Sequence, residues 1–281
     1  MFREIDVRLI EDAVKKLCVR ANIKLPDEIP DAVKSSAETE LNPLGKDILL
    51  DLLKNSESAV HYNIPVCQDT GMAVVFIEVG QDVHLVGGDL TNAINSGIAL
   101  GYKEGKLRMS IVGDPILRKN TNDNTPAIIY TSIAQGDRVR IKVSPKGFGS
   151  ENMSRIKMFN PTASYDEIIE FVSETVSLAG GSPCPPVIVG IGIGGDFEYA
   201  AYLSKKALCR DLKERNKNPF YCDLENKILK KINSLGIGPQ GFGGNTTALF
   251  VNIETYPTHI AGLPVAVNIG CHVTRHAEQT I

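Results

Sequence analysis

Three cysteines stand in loops next to predicted strands: Cys67 in PVCQDTG, Cys184 in GGSPCPP and Cys271 in VNIGCHVTRH. Prolines at 65, 183, 185 and 186 shape the backbone around the first two, so these thiols belong to built loops rather than to element interiors. One loop cysteine taken alone reads most simply as a small buried hydrophobe. Three in comparable settings, far apart along the chain, suit a metal centre assembled by the fold, with zinc or an iron–sulfur cluster as the soft-ligand candidates. Spacing does not choose between them, because neither the short CxxC pairs of structural zinc nor the ferredoxin run is present. A fourth matching cysteine is missing, which leaves one metal position open, as catalysis at a metal requires. Cys18, Cys209 and Cys222 lie in or beside helical stretches and are expected to be core or surface residues.

Polar residues gather in sequence around these loops. Gln68 and Asp69 set an amide and a carboxylate beside the first thiol; His272, Arg275 and His276 follow the third, and His259 stands upstream of it in YPTHIAGLP. A lone histidine is more often structural than chemical, and position near a candidate ligand singles out His259. Arg108 in KLRMSIVGDP and Arg118 in ILRKNTNDNTPA could each hold a carboxylate bidentately, against the simpler reading of a solvated surface arginine. The glycine loops KGFGSEN and PQGFGGNTT either bring backbone N–H groups to an anion or make tight turns.

The elements that must position these residues follow from periodicity. Val7, Ile10, Val14 and Leu17 predict a helix over 4–23, and KDILLDLLKN predicts another, so residues 1–60 form a helical N-terminal arm. From Met72 the runs MAVVFIEV, DVHLV, PAIIYTSI and DRVRIKVS read as strands, with a helix at DLTNAINSGIALGYKEG. Beyond KGFGSENMS come a helix at SYDEIIEFVSETVSLAG, the strand PVIVGIGI, helices at DFEYAAYLSKKALCRDL and DLENKILKKINSL, and the strands TALFVNIET and LPVAVNI. The fold class is therefore α/β, a mixture of α and β with mixed β-sheets flanked by helices. No repeat or linker marks a boundary, so 1–281 is expected to be one compact domain.

Composition narrows the partners. A formal net charge of −3 over 281 residues argues against nucleic acid and against anionic membrane surfaces, leaving a small molecule or a protein. Charges interrupt every apolar run of MFREIDVRLIEDAVKKL, so no leader or membrane segment is expected, and six sparse cysteines suit the reducing cytoplasm.

One motif competes. Gly190, Gly192 and Gly195 in PVIVGIGIGGDFEYAA have GxGxxG spacing between a strand and a helix, as a NAD-dependent oxidoreductase would. The acidic residue that should close a second strand about twenty residues on is lacking, since the region of Asp211 reads as helix. Close packing is the alternative use of these glycines.

Taken together, PVCQDTG, LRMSIVGDP with RKNTNDNTPA, KGFGSENMS, CPPVIVGIGIGG, GPQGFGGNTTAL and THIAGLPVAVNIGCHVTRH resemble the alpha, or N-terminal, part of the class I iron–sulfur hydro-lyases. These comprise class I fumarate hydratase and L(+)-tartrate dehydratase. The resemblance implies a 4Fe-4S cluster on Cys67, Cys184 and Cys271 whose fourth iron is open to substrate. It implies that Gln68, Arg108 and Gly149 bind a dicarboxylate, that Asp69 serves proton transfer and that His259 contacts a carboxylate. Phe148 departs from the family pattern where a further glycine is usual. Because the chain ends at Ile281, it is expected to need a separate beta subunit, as an alpha2beta2 assembly, and to be inactive alone. Fumarate/(S)-malate interconversion, in the tricarboxylic acid cycle, is the expected reaction; L(+)-tartrate dehydration is the alternative, and a non-catalytic iron–sulfur sensor is a more distant one.

Overall fold

The computed structural model describes residues 2–281. The first elements are β1 (Arg3–Asp6), α1 (Val7–Ile23), α2 (Glu28–Thr39), α3 (Pro43–Tyr62), β2 (Met72–Gly80), β3 (Val83–Val86) and α4 (Leu90–Glu104). Next come β4 (Ile128–Ala134), β5 (Val139–Lys146), the short α5 (Phe148–Glu151), β6 (Arg155–Phe159) and α6 (Tyr165–Ala179). The chain then forms β7 (Val187–Gly195), α7 (Phe197–Ala207), α8 (Pro219–Asn233), β8 (Ala248–Thr258), β9 (Leu263–Gly270) and β10 (Ala277–Thr280). The protein is a mixed α/β fold. It forms two compact units, each built from separated segments, so no linker composition marks where one stops. No helix among the described residues is long and apolar enough to cross a membrane.

One unit takes the segment ending at Pro26, Ser56–Gly147 and Arg275–Ile281. Its main sheet is ordered β10-β5-β2-β4, with β5 antiparallel to β10 and β2, and β4 parallel to β2. A separate two-stranded sheet pairs β1 with β3. The helix expected over 4–23 begins only at Val7, because the Asp6 side chain accepts from Arg8 N–H and caps it, leaving Arg3–Asp6 as strand. Helices α1 and α4 cross at close range. A Cβ on Gly97 would lie 2.5 Å from the Glu11 carbonyl oxygen, and one on Gly101 2.8 Å from that of Lys15. Ile10, Val14 and Leu17 of α1 and Ile94, Ile98 and Tyr102 of α4 pack with Val75, Ile77, Ile141 and Val143 of the sheet. Each such aliphatic side chain contributes roughly 1.5–3 kcal/mol by burial.

The other unit takes Asp27–Asn55 and Phe148–Thr274. Its sheet is ordered β6-β9-β7-β8, with β8 parallel to β7 and β9 antiparallel to both β7 and β6. Central strand β7 is buried on both faces, which explains its unbroken apolar run. Val187, Val189, Ile191 and Ile193 point into a core shared with Phe171, Val172 and Val176 of α6 and Leu224, Ile228 and Ile232 of α8. The alternate residues Gly190 and Gly192 meet α7, where a Cβ would collide with the carbonyl oxygens of Ser204 and Ala200. The GIGIGG spacing is thus the two-residue period of a strand that carries a helix flat on one face. Asp196 already caps α7 by accepting from Tyr199 N–H, so a carboxylate holds the place a pyrophosphate would take. A Ser164/Glu167 capping box starts α6, and Asn218 before Pro219 starts α8.

Candidate active site

In the first unit, Cys67 to Gly71 form the loop leading into β2. The Cys67 thiol donates to Gln68 Oε1 at 3.4 Å, and Gly71 N–H donates to Asp69 Oδ1 at 3.0 Å. Beneath the loop, the Tyr102 hydroxyl lies 2.8 Å from the Thr70 carbonyl oxygen and 2.9 Å from that of Gly71. Burial raises the Tyr102 phenol well above its usual range, so it remains a donor. Asn124, fully buried, gives its amide to the Gly71 carbonyl and takes Ser110 N–H on its Oδ1. Thr70 Oγ1 accepts from Arg108 N–H at 2.8 Å, so the exposed Arg108 guanidinium projects from a backbone fixed to the Asp69 loop. Arg275, 2% exposed, donates to the Asp69 carbonyl oxygen. A Cβ on Gly147 would come 3.0 Å from Asp69 Oδ2, which places that glycine against the carboxylate.

In the second unit, the start of β7 and the end of β9 are neighbours, since Ile188 pairs with Gly270. Antiparallel pairing therefore brings the Cys184 loop and the Cys271 loop to one end of the sheet. His272 joins them: its N–H and Nδ1 lie 3.4 and 3.0 Å from the Cys184 carbonyl oxygen. Cys271 begins a tight turn in which its carbonyl accepts from Thr274 N–H and Oγ1–H. Cys184 itself has φ 55, an uncommon conformation for a residue with a Cβ. Gly149 lies by the same loop, where a Cβ would stand 3.7 Å from the Ser182 carbonyl oxygen.

His259 is placed elsewhere. It sits in the exposed turn after β8, whereas Cys271 follows β9, so the eight residues of β9 separate them by roughly 25 Å. The expected closeness of His259 to the third cysteine is not found; antiparallel pairing puts the turn at the far end of the sheet. There the His259 ring nitrogen Nδ1 accepts from Ala261 N–H. Arg118, with φ 60, donates its N–H to the Asp114 carbonyl within an exposed turn.

The donor set fits a thiophilic centre in kind. Cys67, Cys184 and Cys271 are outside disulfides, at least partly exposed and carried by loops with stabilised backbones. Cys18 and Cys209 are buried, and burial drives the Cys18 thiol upward, as expected of an inert core residue. The three loop thiols divide between the units, Cys67 in one and Cys184 and Cys271 in the other. Among the described residues no three His, Cys, Asp or Glu side chains already form a metal-ion site.

Sequence reasoning missed the residues that hold these loops. Tyr102 and Asn124 support the Asp69 loop, while Gln240 and Glu40 support the Cys184 loop through contacts described below. Asn124 lies within RKNTNDNTPA and adopts φ 61, a conformation asparagine tolerates, which is the only local signal any of them carries.

Comparison with known proteins gives the family. The model of the family described as fumarate hydratase (Fumerase) matches residues 11–280. A Methanocaldococcus jannaschii protein named "Putative L(+)-tartrate dehydratase subunit alpha" is 39% identical over 97% of this chain and 97% of its own length. Proteins of Escherichia coli and Shigella boydii named L(+)-tartrate dehydratase subunit alpha are each 32% identical over 98% of this chain and 93% of theirs. With one family model spanning nearly the whole chain and relatives that follow it almost end to end, the chain belongs to the fumarate hydratase (Fumerase) family of hydro-lyases.

Proposed function

We propose that this chain is the alpha subunit of an iron–sulfur hydro-lyase that dehydrates L(+)-tartrate, acting with a separate beta subunit in the cytoplasm. The observation that carries the substrate is the near-full-length likeness to proteins named L(+)-tartrate dehydratase subunit alpha. This displaces the sequence-based preference for fumarate. The description of the family keeps fumarate/(S)-malate interconversion as the second reading.

Cys67, Cys184 and Cys271 would hold a 4Fe-4S cluster. When bound, such a cluster with three protein thiolates supplies an open Lewis-acid position for the leaving hydroxyl and a neighbouring carboxylate oxygen. Asp69, fixed through its carbonyl by Arg275 and through Oδ1 by Gly71 N–H, removes the proton at C3. Arg108 holds a substrate carboxylate bidentately, and Gln68 hydrogen-bonds the substrate beside Cys67. Gly149 lets a substrate oxygen approach the backbone; packing alone does not demand a glycine there, since a Cβ has room. Loss of hydroxide from C2 and a proton from C3 of tartrate, together one water, leaves an enol that tautomerises to oxaloacetate. Fumarate hydration is the reverse of the same elimination on malate.

Purified alone, the chain is expected to bind the cluster but to turn over neither substrate at the rate of the alpha–beta complex. The test is an anaerobic assay of the complex with L(+)-tartrate and with (S)-malate, following oxaloacetate and fumarate. A higher kcat/KM for tartrate supports the first reading; a higher value for malate replaces it with the second. Full activity of the isolated chain would remove the beta requirement.

A further inference from the structure

We propose that Glu40 is a positioning residue for Cys184: its carboxylate locks the 237–247 loop, and that loop sets the backbone on which the Cys184 thiol stands. Its functional weight rests on the reading of Cys184 as a cluster ligand, whereas the geometry does not.

Glu40 ends α2 and is 7% exposed. Its Oε1 accepts from the N–H groups of Asn42 and Asn245, each at 3.0 Å, and Oε2 accepts from Thr246 N–H at 2.9 Å. Gly244, at φ 129, lies so close that a Cβ would be 2.6 Å from Oε1. The Asn42 side chain adds donations to the carbonyl oxygens of Phe242 and Gly243. A buried carboxylate is costly unless its oxygens are satisfied, and here backbone amides of the loop satisfy it. An ionised carboxylate accepts on both oxygens and donates on neither; a glutamine would turn an NH2 group toward one of the donors.

The loop passes this order on. Gln240 donates both its backbone N–H and its side-chain Nε2–H to the carbonyl oxygen of Pro185, each at 2.7 Å. Val187 N–H donates to the Thr247 carbonyl at 2.9 Å, directly after the residues bound by Glu40. Gly241 rests on Gly181, where a Cβ would come 3.0 Å from the Gly181 Cα. Cys184 is therefore flanked by residues anchored to the Glu40 loop. A cysteine at φ 55 persists only where its surroundings over-determine it, and these contacts do so.

The test uses the full chain with Glu40→Gln. Two quantities are read: the iodoacetamide alkylation rate of Cys184 relative to Cys222 in the native protein, and iron and sulfide content after anaerobic reconstitution. Cys222, on α8, reports general loosening. We expect the Cys184-to-Cys222 ratio to rise about threefold, because the exposed thiol, no longer held by a fixed backbone, samples more orientations open to the reagent, and cluster content to fall. If Glu40→Gln does not fold, Asn42→Ala, which removes the two side-chain donations, should raise the ratio by a smaller factor. An unchanged ratio in a folded variant overturns the proposal. A raised ratio with unchanged iron and sulfide keeps the positioning of the loop and overturns its weight for cluster binding, while cluster loss in Cys184→Ser separately tests the ligand reading.

Discussion

The Asp69 loop and the Cys184 loop are both held from beneath, but by opposite chemistry. Neutral side chains, Tyr102, Asn124 and Thr70, hold most of the first, and Arg275 donates to the Asp69 carbonyl oxygen. A carboxylate, Glu40, anchors the second through backbone amides, with Gln240 carrying the restraint forward. Neutral donors such as Tyr102 and Asn124 keep their protons as pH falls, whereas a carboxylate accepts most strongly only while ionised. The cysteine loop thus leans on a buried carboxylate that acid weakens, whereas Tyr102 and Asn124 keep their hold on the Asp69 loop as pH falls.

The largest expected effect separates chemistry from support. In the alpha–beta complex, Asp69→Asn should lower kcat by about 10²–10⁴-fold, the range of a lost general base, with the visible spectrum of the cluster unchanged. A loss of only a few-fold would take proton transfer away from Asp69. Next, Tyr102→Phe leaves buried carbonyls short of a donor and should cost about 1–3 kcal/mol of stability, read by denaturant unfolding.

Glu40→Gln should behave differently with pH. Burial alone would raise the Glu40 carboxyl, but donation from Asn42, Thr246 and Asn245 outweighs it and holds the group below its ordinary 4.5. A depressed carboxyl contributes stability that is complete above the unfolded value and fades as pH falls through the folded one. The stability gap between wild type and Glu40→Gln should therefore stay level near neutrality and shrink below pH 4.5, while the Tyr102→Phe gap stays level throughout. Parallel curves for the two variants would erase the distinction between the loops. The smallest effect is expected from Gly149→Ala: stability within about 0.5 kcal/mol, because a methyl has room, but a raised KM for the dicarboxylate.

Local signals announced much of this molecule. The loop cysteines were visible through their prolines and flanking strands, and the mixed α/β class through the change of period at Met72. The strand β7 was legible, yet its glycines looked like a phosphate loop because strand alternation and GxGxxG share two positions; only α7 lying on Gly190 and Gly192 separates the two. Strands β1 and β10 are four residues long and carry no apolar alternation, so pairing alone makes them strands. His259 seemed near Cys271 because twelve positions are few in sequence, but an intervening extended strand makes them distant in space. Glu40 and Tyr102 gave little local sign: apart from Asn42, the backbone donors to Glu40 are the distant Asn245 and Thr246, and Tyr102 reaches back to Thr70 and Gly71.

The most direct measurement is anaerobic reconstitution of the full chain with iron and sulfide, for wild type, Cys67→Ser, Cys184→Ser, Cys271→Ser and the control Cys222→Ser. About four irons with matching sulfide are expected in wild type and in the control, with the cluster lost or degraded in each of the other three. A wild type that takes up no cluster, or a cluster indifferent to the three loop cysteines, would contradict their assignment as its ligands.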